Sequence, residues 1–136
     1  MIEDSYFYFQ LGDVNGYEHC IVENVLLKCS ISCDGFKRLF TQMEKKLGYN
    51  FLTFCNGEGD NKVPEILLEK LLEIYKEDEL TTRYFDRGMS GELYIHESVD
   101  FVILCCDLIQ HYFQNFTYEI IGFPTFQIQA CCGMFD

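Results

Sequence analysis

At 136 residues, 49 % hydrophobic and 24 % charged, the chain has the composition of one globular domain, long enough to bury a core and too apolar for disorder. Ten lysines and arginines against 22 aspartates and glutamates give a formal charge of −12, which repels phosphate backbones and argues against nucleic-acid binding. The N-terminal MIEDSYFYFQ lacks the basic region of a secretory signal, and no apolar run reaches the roughly 18 residues of a membrane span, so a soluble cytoplasmic protein with reduced thiols and no membrane contact is expected.

SYFYFQL (5–11) is aromatic and strand-like, and GDVNG (12–16) supplies turn chemistry. YEHCIVENVLLKCSI (17–31) reads as one long or bent strand forming a hairpin with the first. Ser32 or Asp34 can cap a helix beginning near Gly35, with Phe36, Leu39, Phe40, Met43 and Leu47 on one side and Gly48 just past the end. YNFLTF (49–54) then reads as a buried strand and CNGEGDN (55–61) as a loop.

Pro64 suits the first turn of a second helix over 64–80, PEILLEKLLEIYKEDEL. Leu67, Leu71 and Ile74 form one buried line on it and Leu68, Leu72 and Tyr75 a second. Glu65, Glu69, Glu73 and Glu77 recur at four-residue spacing with only Lys70 and Lys76 to answer them, and each like-charge neighbour costs a few tenths of a kcal/mol. Glu77, Asp78 and Glu79 would crowd the C-terminus of such a helix, where the macrodipole is already negative.

TTRYFDRGMSG (81–91) reads as a loop and ELYIH (92–96) as a strand. Ser98 can cap a third helix with stripes Phe101, Cys105, Leu108, Tyr112 and Val102, Ile109, Phe113, Phe116, an arc wide enough to be buried around much of its circumference. TYEIIGF (117–123) and TFQIQAC (125–131) close the chain as two strands around Pro124. The order is approximately β-β-α-β-α-β-α-β-β, an α+β domain over 1–136 in which a mainly antiparallel sheet packs against about three helices.

Chemistry is harder to find. Cys29 and Cys33, with His19 and Cys20 upstream, have no second close Cys/His pair to complete a zinc site, and the doublets Cys105/Cys106 and Cys131/Cys132 lack metal-ligand spacing. Most of the eight cysteines stand in apolar runs such as ILCCDL, where a thiol behaves as a small hydrophobe. Asn56, Glu58 and Asp60 alternate as calcium ligands do, but the sixth-position glycine and the twelfth-position acid are replaced by Asn61 and Leu67. No nucleophile elbow, phosphate loop, dinucleotide turn or HExxH helix occurs, so no metal, cofactor or catalytic residue is assigned.

The informative feature is negative charge. Glu58, Asp60, Glu65, Glu69, Glu73, Glu77, Asp78 and Glu79 place eight carboxylates within 22 residues, more than folding alone favours. A stripe of this kind suits docking against a basic protein, with Tyr75 and Tyr84 as aromatic anchors and Tyr6, Tyr8 and Tyr94 as further candidates. In character the chain is similar to the immunity proteins of bacterial toxin systems, small acidic inhibitors that occlude basic, nuclease-like toxins. The expectation is therefore a non-enzymatic protein-binding module. Its alternatives are a small enzyme with a Cys/His site assembled from distant segments, and an adaptor or homodimeric subunit joined through its Phe- and Tyr-rich strands.

Overall fold

The structure, a computed structural model, describes residues 4–11, 22–51, 62–95 and 97–122. Side-chain alternation builds its first two strands, β1 (Ser5–Leu11) and β2 (Val22–Cys29). Phe9, Val25, Leu27 and Cys29 are buried on one face, while Tyr6 and Tyr8 stand on the other, 59 % and 56 % exposed. The strands pair antiparallel from Ser5↔Cys29 to Phe9↔Val25, as the hairpin expectation requires, and the register shifts between Phe9 and Leu11.

Helix α1 (Cys33–Leu47) begins where its punctuation predicts. The Ser32 hydroxyl accepts the Gly35 N–H at 3.1 Å, and Gly48 closes the helix at φ 83°, a left-handed conformation that suits glycine. Phe36, Met43 and Leu47 face the core, with the Phe36 ring edge-on to Phe7 and Phe9 at 5.2 and 5.7 Å. After it the described part of the strand expected over 49–54 is not a strand: residues 49 and 50 lie in none and Phe51 is helical, although fully buried, while residues 52–54 lie outside the described part.

The single second helix of the sequence reading is two helices, α2 (Glu65–Leu72) and α3 (Glu77–Arg83). The segment expected as a loop continues α3 to Arg83 and then forms β3 (Phe85–Arg87), which pairs antiparallel with β4 (Leu93–Ile95). Lys62 adds an isolated bridge to Tyr94. Helix α4 (Ser98–Tyr112) starts after Glu97, which lies extended and gives no side-chain cap, so Ser98 is the first helical residue rather than the cap.

Phe101, Val102, Leu104, Cys105, Cys106, Leu108 and Ile109 of α4 are all buried, the wide apolar arc its sequence implies. It packs on both β2 and α1, and β5 (Tyr118–Gly122) pairs antiparallel with β2 to give the order β1-β2-β5. The fold is thus α+β: a three-stranded antiparallel sheet covered on one face by α4 and α1, with the β3–β4 ribbon and the short helices beside it, all sharing one apolar core. The closing strand expected over 125–131 lies outside the described residues. No helix among the described residues is long and apolar enough to cross a membrane.

Candidate functional site

The acidic segment changes character at residues 73–76. The last turn of α2 tightens, Glu73 N–H donating to Lys70 O at 3.2 Å and Ile74 N–H to Leu71 O at 3.0 Å, and Lys76 then extends at ψ 156°. The break brings Tyr75 against Tyr84, ring centroids 5.9 Å apart. It also moves Glu77, Asp78 and Glu79 from the end of one helix to the first turn of another, where the macrodipole favours them. The cost anticipated from crowding a C-terminus does not arise.

Two of these three acids are also held by the chain itself. The Glu79 carboxylate accepts the Lys76 N–H at 3.0 Å, half of a capping box. Glu77 pairs with Arg87 at 3.1 Å, and the same guanidinium donates to Gly91 O at 3.2 Å, which ties the start of α3 to the β3–β4 turn. Asp78 is exposed.

The acids of α2 differ. Glu65, Glu69 and Glu73 are exposed, and although all ten lysines and arginines are among the described residues, none forms an ion pair with them. Lys70, expected to relieve Glu73, turns instead to the end of α1, its Nζ so placed that a Cβ on Gly48 would lie 3.2 Å away. There the ammonium faces the negative end of the α1 dipole. Ile66 and Leu72 sit among these acids, 57 % and 46 % exposed. Of the two expected buried lines Leu67 and Leu71 are fully buried and Leu68, Ile74 and Tyr75 pack half-buried against the core, whereas Leu72, where the helix ends, is exposed. Neither exposed aliphatic is distinguishable in sequence from a core residue of an amphipathic helix.

The expected aromatic anchors divide as well. Tyr84 is 2 % exposed and turned inward, its hydroxyl donating to Asp107 Oδ2 at 2.5 Å. Tyr118 donates to Asp107 Oδ1 at 2.6 Å, so one carboxylate on α4 ties the α3–β3 junction to β5. Burial, and then the bond to Asp107, push both phenols far above their ordinary value, so they stay protonated. Tyr75 is half-buried, its phenol pushed up to about 12, chiefly by burial. Tyr94 is half-buried, and only Tyr6 and Tyr8 of the named tyrosines are well exposed. Glu58 and Asp60 lie outside the described residues.

Among the described residues no cluster of three His, Cys, Asp or Glu side chains is arranged to hold a metal ion. Cys29, Cys105 and Cys106 are buried thiols, whereas Cys33 is exposed on the first turn of α1. Burial raises the Cys29 thiol to about 12. His111 is exposed at the end of α4, its ring edge-on to Tyr112 at 4.8 Å. Compared with protein-family models, curated proteins and solved structures, the chain matches none.

Proposed function

We propose that this chain is a protein-binding module that docks the outward face of α2 against a lysine- and arginine-bearing partner, occluding it as an immunity or inhibitor protein occludes a basic, nuclease-like toxin. One observation carries the reading: Glu65, Glu69 and Glu73 stand exposed with no ion pair among the described residues, beside exposed Ile66 and Leu72. The carboxylates attract a basic surface and raise the encounter rate. Charge alone gives weak complexes, and the two aliphatics supply apolar area that loses water on contact. Tyr75 is half-buried against the core and Tyr84 does not contribute, being buried.

The test is retention of a basic protein from the native host on the immobilised chain, compared with a Glu65→Lys, Glu69→Lys, Glu73→Lys variant. Support is a single protein kept at low salt, released at high salt, bound one to one when purified, and absent from the variant. A partner retained equally by both chains would show that α2 is not its docking face. Turnover of a small substrate by the purified chain, with no partner at either salt, would favour the enzyme alternative.

A further inference from the structure

β1 is an edge strand with little to guard it. Soluble proteins blunt such edges with lysine, proline or a bulge, because unpaired backbone groups recruit other strands. From Ser5 to Phe9 this strand has no charge and no proline, and its irregularity comes only beyond Phe9. Among the described residues its outer side pairs with nothing, β2 occupying the inner side.

Beside this edge runs a groove of about 380 Å³ between β1 and α1. Phe7, Phe9, Phe36 and Phe40 line it, fixed against one another at centroid distances of 5.2 to 6.3 Å. Cys33, Lys37 and Thr41, one helical turn apart on α1 and all exposed, form the opposite rim. Among the described residues Lys37 is the only charged side chain lining the groove. A strand edge free among the described residues, an apolar trough beside it and a helix as far wall are the parts of a strand-addition site, in which backbone bonds give affinity and alternate side chains give specificity.

We propose that this groove binds an extended segment of another protein, added as a strand along β1, with apolar side chains at alternate positions against the phenylalanines and an acidic side chain facing Lys37. Charge selects this occupant over a second copy of the chain. Two copies each carrying −12 repel, and one lysine per groove does not offset that. The site is separate from the α2 face and takes the opposite charge.

Selection of random peptides displayed on phage, using the whole chain as bait, tests the proposal. The enriched sequences should alternate apolar and polar residues and carry one acid at a fixed position. A synthetic peptide of that consensus should bind roughly tenfold or more weakly to Lys37→Glu, and replacing its acid with lysine should restore binding to that variant. N-methylation of alternate peptide amides should abolish binding, since it removes the donors of the ladder without touching the protein. Binding to Glu69→Lys, Glu73→Lys should be unchanged, so failure here and failure of the α2 reading are told apart. No enriched consensus, or a consensus indifferent to Lys37→Glu and to N-methylation, overturns the proposal. So does a stable dimer in sedimentation that Lys37→Glu leaves intact and that excludes the peptide, which assigns the edge to a second copy.

Discussion

The acids of α2 and those of α3 lie within fifteen residues of each other, yet the fold treats them differently. Glu77 and Glu79 have partners in Arg87 and the Lys76 N–H, and all three α3 acids sit at a favourable helix start. Among the described residues Glu69 and Glu73 have no ion-pair partner, the dipole does not favour them, and Glu73 closes α2 at its negative end. Charge that the chain uses internally explains itself. What the fold leaves unused is the smaller α2 group, together with the aliphatics beside it.

Asp107 marks the internal extreme of that contrast, and its loss should have the largest effect. Asp107→Ala removes the carboxylate that two inward-facing phenols share, and we expect a loss of roughly 3 kcal/mol or more in urea unfolding, with Tyr84→Phe or Tyr118→Phe costing about half as much. A loss below that of either tyrosine variant would show that the cluster does not join the elements as described. Alkaline pH probes the same interior. Burial holds Cys29 and Tyr75 at about 12, and Cys106, Tyr84 and Tyr118 well above their ordinary values. The unfolded chain releases these protons from its ordinary 9.0 for thiols and 10.0 for phenols, so the folded state binds more protons above those values. Stability should be full at neutrality and fall as pH rises through 9 toward 12. A flat unfolding midpoint over that range would contradict the burial of these groups.

Glu79→Ala comes next and decides between one helix and two by its sign. As a cap acceptor at the start of α3, Glu79 should cost about 1 kcal/mol when removed. At the end of a continuous helix the same change would relieve repulsion and stabilise. Glu77→Ala should cost at most about 1 kcal/mol, the pair with Arg87 being half-exposed, and high salt should erase the difference. A cost that persists in salt would point to a role for Glu77 beyond that ion pair.

How much of this could be read beforehand depended on whether the signal was local. α1 was legible because Ser32 and Gly48 bracket an unbroken amphipathic pattern. The break between α2 and α3 was not, because no glycine or proline stands at 73–76 and the apolar spacing runs on through Ile74 and Tyr75. Its trace lay in the charges: three acids in a row suit the start of a helix, and Glu79 stands three residues after Lys76 as a capping glutamate should. β3 is only three residues, two of them charged, and takes its strand form from pairing with β4. Which tyrosine is buried was equally out of reach, since Tyr84 depends on Asp107, 23 residues away, while Tyr6 and Tyr8 are set outward by the register of β1 against β2. The acidic residues were found as a group, and their division into used and unused required the coordinates.

The smallest expected change in stability carries the most information about function. Glu69→Lys with Glu73→Lys removes like-charge neighbours along α2 and places a cation at its negative end, so the folded state should be unchanged or gain about 0.5 kcal/mol. If these acids served the fold, the double variant would instead lose stability, and the contrast between the two helices would vanish. Against the partner recovered by the wild-type chain, the same variant should associate about tenfold more slowly at low salt, with the difference closing as salt is raised. A change confined to dissociation would place the contact in a desolvated centre around Ile66 and Leu72 and leave the carboxylates as its rim. Stability and association moving in opposite directions is the outcome that a passive solvated face cannot produce.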